Sequence, residues 1–135
     1  MFIRIISLLI SLSLLAGCNL GEPGSITPMP TPDIPQVEIL APQNNQQVVV
    51  GTEFDFDIVA RDSNPGIANV ELYIDEVLIN DASPIESSSV DVFRTSMNWL
   101  ASGIGLHIVE VIAYRPDGQQ SDPAQITIEV VPRDE

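Results

Sequence analysis

From residue 36 onward the chain alternates apolar and polar positions with a period of two. Residues 53–61 (EFDFDIVAR) place Phe54, Phe56, Ile58 and Ala60 on one side and Glu53, Asp55, Asp57 and Arg61 on the other, with Val59 breaking the rule. Residues 69–75 repeat the pattern with Val70, Leu72 and Ile74. Residues 92–99 do so with Phe93, Thr95, Met97 and Trp99. Residues 106–114 follow with Val109, Val111 and Ala113, and residues 125–131 with Ile126, Ile128 and Val130. Successive strand side chains point to opposite faces, so this periodicity predicts half-buried strands. Shorter strands are predicted near 37–40, 47–50 and 77–79. No window carries a sustained helical period with caps, and the prolines of this region (Pro42, Pro65, Pro84, Pro116, Pro123, Pro132) all fall between the alternating runs. Seven or eight strands with turn signals every 8–15 residues predict an all-β antiparallel sandwich over residues 36–132. Clean in/out alternation argues against a parallel sheet buried on both faces.

The N-terminal part obeys different rules. Residues 5–16 (IISLLISLSLLA) form an uncharged apolar run behind Arg4, and Gly17 and Cys18 follow. A basic start, a short apolar segment and small residues before a cut predict a secretory signal. The run is too short for a span, which needs roughly 20 apolar residues. Residues 19–35 hold Pro23, Pro28, Pro30, Pro32 and Pro35. Each proline fixes φ and removes a backbone donor, so this stretch is expected to be an extended spacer with a reach of roughly 50 Å. The chain thus divides into a signal at 1–17, a tether at 18–35 and one sandwich at 36–132.

The quartet Leu15-Ala16-Gly17-Cys18 resembles the lipobox of bacterial lipoproteins. The resemblance implies a diacylglyceryl group on the Cys18 thiol and cleavage between Gly17 and Cys18. One acyl chain holds a membrane only marginally and two or three hold it stably. The expectation is therefore a domain anchored to a bacterial membrane without spanning it, exposed to the periplasm or the cell exterior.

Charge adds to this picture. The 135 residues carry 19 acids and five basic residues, all arginine, for a formal net charge of −14. Loss of Arg4 with the signal leaves four arginines against the same 19 acids, a net of −15. So acidic a chain is not expected to bind nucleic acid, whose phosphates need cationic neutralisation. Repulsion from anionic head groups fades within about 8 Å, well inside the tether's reach.

A second resemblance rests on the sandwich itself. Pro42, Gly51, Phe56, Ile58, Ala60, Asp62, Gly66-Ile67 and the run Val70-Glu71-Leu72-Tyr73-Ile74-Asp75 are similar to the front half of a bacterial Ig-like domain. Trp99, Gly105, His107, Val109, Val111, Ala113 and Gly118 are similar to its back half. The resemblance implies an immunoglobulin-like sandwich serving as a spacer, adhesive or accessory module. Two positions depart from the family pattern. Asp75-Glu76 stands where Asp-Gly is common, and Arg115 stands where an aspartate is common. The second change weakens any cation site built on that carboxylate.

Candidate chemistry is sparse. Asp55 and Asp57 fall side by side on a solvated strand face and read as surface carboxylates. Asp62 and Asn64 in one loop and Asp117 in another offer hard oxygen ligands for Ca²⁺ at one end of the sandwich. Loops also favour these residues for turn geometry. His107, the only histidine, and Trp99, the only tryptophan, read as packed structural residues. A lone Cys and a lone His cannot build a zinc site. With no phosphate loop and no nucleophile motif, an enzyme is not expected, and no cofactor beyond the lipid on Cys18. The expected roles are a structural, adhesive or protein-interaction module, or a Ca²⁺- or glycan-binding accessory module. A third is a subunit of an envelope complex that offers the Val48-Val49-Val50 strand as an edge for a partner strand.

Overall fold

The computed structural model describes residues 33–134. Gly17, Cys18 and the proline-rich run up to Pro32 lie outside them. The described residues form eight strands and no helix: β1 (Gln36–Ala41), β2 (Gln46–Val49), β3 (Glu53–Arg61), β4 (Asn69–Ile74), β5 (Val77–Ala82), β6 (Val92–Leu100), β7 (Gly105–Tyr114) and β8 (Ala124–Val131). Every alternating run of the sequence is a strand.

Two sheets face each other. One has the order β1-β3-β6 and the other the order β2-β8-β7-β4-β5. All ladders are antiparallel except one. β2 lies parallel to β8, with Gln46 opposite Ile128 and Val49 opposite Val131. A four-residue strand carries too little pattern to reveal its direction, which is set by where the chain must go next. Gly51 takes positive φ and its N–H donates to the Ala101 carbonyl at 2.8 Å. The chain thereby crosses from β2 in one sheet to β3 in the other.

The inward positions of both sheets make the core. Phe56 and Ile58 of β3 and Met97 and Trp99 of β6 meet Val70 and Leu72 of β4, Val109 and Val111 of β7, and Ile128 and Val130 of β8. Phe56 is wholly buried, stacks edge-on against Phe54 at 5.4 Å and reaches Trp99 at 6.4 Å. Burying a side chain of this size stabilises the fold by about 1.5–3 kcal/mol. Val59, the exception in the alternation, lies on the outer face of the central strand yet is buried. Its partners across the two ladders are Glu38 and Arg94, long side chains whose stems can cover apolar surface.

The folded unit begins earlier than residue 36. Asp33, Ile34 and Pro35, read above as the end of the tether, belong to it. Pro35 is fully buried and Asp33 bonds to Arg115. A proline that packs its ring into a domain is part of that domain, whatever its place in a proline-rich run.

Candidate functional site

At the end of the sandwich where β3 and β7 finish, Arg115 gathers the loops. It is 6 % exposed. Its Nε and one terminal nitrogen donate to the two oxygens of Asp62 at 2.8 and 2.9 Å, a bidentate fork. The same terminal nitrogen donates to Asp33 Oδ1 at 2.9 Å. The other donates to Gln119 Oε1 at 2.8 Å and to the Asp33 carbonyl at 3.1 Å. Asp62 also accepts the Gly66 N–H at 3.1 Å. The Arg115 hydrogen bond holds the Asp62 carboxyl below the usual carboxylate range, against the opposing effect of burial. Asp62, and then Asp33, raise the guanidinium's own pKa further.

The three oxygen-bearing loop residues have different surroundings. Both Asp62 oxygens face a guanidinium. Asp117 caps its own turn, accepting the Gln119 N–H at 3.0 Å. Asn64 is exposed in the loop before Pro65. Among the described residues no three His, Cys, Asp or Glu side chains gather as a metal site. The centre here is Arg115, which the sequence showed only as a departure from a pattern. An arginine at the close of one strand with an aspartate at the close of another was the available signal.

At the opposite end of β7, His107 ties the turn after β4 to the loop before β7. Its Nδ1 lies 2.6 Å from Asp75 Oδ2 and its Nε2 lies 2.6 Å from the Gly103 carbonyl. Both ring nitrogens face acceptors, an arrangement that favours the doubly protonated ring over either neutral tautomer. The ring sits edge-on to Trp99 at 5.6 Å. Burial pushes the His107 pKa down, but the Gly103 carbonyl and Asp75 prevail and raise it. Burial raises Asp75, while the Ile108 N–H (2.9 Å) and His107 lower it by more. Trp99 is 7 % exposed and belongs to the core.

The outer face of the five-stranded sheet carries the two tyrosines. The Tyr73 hydroxyl donates to Glu71, which raises the Tyr73 pKa. Burial and the same carboxylate raise that of Tyr114. On the same sheet Leu78, Leu106 and Ile108 are 49 %, 71 % and 47 % exposed.

The family model for the bacterial Ig domain matches residues 35–111. Among solved structures, the fibronectin(III)-like modules of Clostridium thermocellum CbhA align at 24 % identity and TM-score 0.62, over 73 % of this chain and 100 % of theirs. A CARDB domain from Pyrococcus furiosus, solved in complex with di-metal ions, aligns at 15 % identity and TM-score 0.56, over 77 % of this chain and 100 % of its own. The SrpA adhesin of Streptococcus sanguinis aligns at 15 % identity and TM-score 0.51, over 76 % of this chain and 59 % of its own. At these identities the likeness shows the fold alone. No curated protein matches the chain.

Proposed function

The chain belongs to the bacterial Ig domain family, and on that premise we propose that it is a lipid-anchored envelope protein whose sandwich is a non-catalytic protein-interaction module. The observation that carries the anchoring is the position of the only cysteine, at the end of Leu15-Ala16-Gly17-Cys18 and just before a proline-rich stretch. Diacylglyceryl transfer to the Cys18 thiol and cleavage after Gly17 would leave residues 18–32 as the stretch between membrane and domain. The interaction role is supported by the exposed apolar residues on an acidic sheet face. A protein partner is favoured over a glycan because the only tryptophan is buried and the Tyr73 hydroxyl is held by Glu71. Stacking on a sugar ring needs an open aromatic face.

Expression in a bacterium with a clickable palmitate analogue tests the anchoring. The wild-type chain takes up the label, loses residues 1–17 and sediments with membranes. Cys18→Ser takes up no label and stays at precursor length. Membrane-bound Cys18→Ser at mature size, or an unlabelled wild type, would refute the anchor. Cross-linking of intact cells tests the interaction role, which requires a discrete protein adduct of the wild-type chain.

A further inference from the structure

We infer that the free edge of β5 is a docking edge for an extended cationic segment of a partner protein, which adds to the five-stranded sheet as a further strand beside Val77–Ala82. This rests on the interaction-module reading and names the partner's chemistry.

β5 is the outermost strand of its sheet, and among the described residues its only ladder is to β4. An edge strand leaves alternate N–H and carbonyl groups open to another chain. Proteins usually blunt such edges with lysine, proline or a bulge. β5 (VLINDA) has neither lysine nor proline. The ladder does shift between Leu72 and Tyr73, but the extra residue it admits on β5 is Ile79, which is itself 38 % exposed. Val77 and Leu78 before it are 61 % and 49 % exposed. Three consecutive apolar residues on an open edge give an added strand both a backbone ladder and side-chain contacts.

Charge selects the occupant. The five strands of this sheet contain Glu71, Asp81, Glu110 and Glu129 and no arginine, and Asp75 and Glu76 form the turn that opens β5. The arginines on strands, Arg61 and Arg94, both lie in the other sheet. A second copy pairing through β5 would set Asp75, Glu76 and Asp81 of two chains near one another, and like charges across a ladder destabilise it. An anionic lipid surface is repelled for the same reason. A strand that alternates Lys or Arg with apolar residues meets both the acids and the Val77–Ile79 surface. The opposite edge is a weaker offer. β2 has four residues, Val48 is buried, and Val49 is 37 % exposed.

The test is an NMR titration of the isotope-labelled chain with a short peptide of alternating lysine and valine, at low and at physiological salt. The controls are the same peptide with a central proline, which keeps its charge but cannot complete a ladder, and a glutamate–valine peptide. The expected result is saturable binding by the lysine peptide alone. Shifts should centre on Val77–Ala82, and the edge amides should become protected from exchange. Leu78→Lys should weaken binding at least about tenfold without changing the thermal midpoint, and Val77→Lys should act in the same direction. Equal binding of the proline peptide, shifts spread over the acidic surface, full affinity in both lysine variants or no saturable binding would each overturn the inference. Cross-linking separates this failure from that of the broader reading. A partner adduct that survives Leu78→Lys removes β5 alone, whereas a wild-type chain with no adduct removes the interaction module.

Discussion

Arg115 does by covalent attachment what a bound cation does by coordination. Its guanidinium draws the Asp62 carboxylate, Asp33 and Gln119 to one point. Removing one partner of a buried ion pair leaves the other charge uncompensated. Arg115→Ala should therefore lower the thermal midpoint by at least about 5 °C, as followed by circular dichroism. Millimolar Ca²⁺ should leave the wild-type midpoint unchanged, because a ligand stabilises only where the native state binds it. A rise in step with Ca²⁺ concentration would contradict this assignment. The sequence made Asp62 and Asp117 visible as oxygen donors. Which donor faces which partner was not legible, because two loops 53 residues apart are brought together only by the sandwich.

His107 gives a pH dependence whose sign follows from its partners. Its folded pKa lies above the ordinary 6.5, so its stabilisation is complete below that value and fades as pH rises through the folded pKa. Asp75 lies below the ordinary 3.8, so its share is present above that value and is lost as pH falls through the folded pKa. The bridge is strongest between these limits, from about pH 4 to about pH 6.5. The difference in thermal midpoint between wild type and His107→Gln should be largest there and shrink above neutrality. A difference that grows with alkaline pH would show that the ring is neutral in the fold. The sequence supported a packed histidine at a strand start; its raised pKa comes from the two acceptors, one of them a backbone carbonyl that no side-chain pattern reports.

At the scale of elements, the β4–β5 hairpin shows one residue bearing a local cost. Asp75 and Glu76 both take positive φ, 50° and 68°, as the two central residues of a type I′ turn must. Aspartate tolerates this region; glutamate does so less readily and glycine best. Glu76→Gly should stabilise the domain by roughly 0.5–1 kcal/mol, measured by urea unfolding. A loss of stability would mean that the Glu76 side chain makes a contribution its exposure conceals. The departure from Asp-Gly was visible in the sequence. The compensation was not: Asp75 is fixed by the Ile108 N–H and by His107, groups on the neighbouring strand. Element positions were the most legible part of the chain, because each long strand carries three or more alternating inward positions. The direction of β2 and the place of Asp33–Pro35 were not, since four residues and a proline-rich run fit several topologies equally well.

For the whole molecule, the acidity proves uneven. The three-stranded sheet mixes signs on its outer face, with Arg61 3.5 Å from Glu38 and Arg94 opposite Val59. The five-stranded sheet has four acids and no arginine, and its one histidine, His107, is taken up by Asp75. A net charge of −14 describes the chain; the split between two faces describes what a partner meets. Composition could not show this split, because it depends on which strands share a sheet.

The contact between Arg115 and Asp33 also has a mechanical side. A chain held at its N-terminus and drawn away at its sandwich takes the pull at residue 33. Without the contact, only the buried Pro35 would stand between the pull and the β1–β3 ladder, which opens one hydrogen bond after another when peeled from its end. With it, tension passes from Asp33 into the guanidinium and from there into Asp62 at the end of β3 and into the loop behind β7. The strain is divided between two sheets before β1 feels it. In a chain anchored through Cys18 as proposed, Arg115 would thus act as a strain relief at the start of the domain.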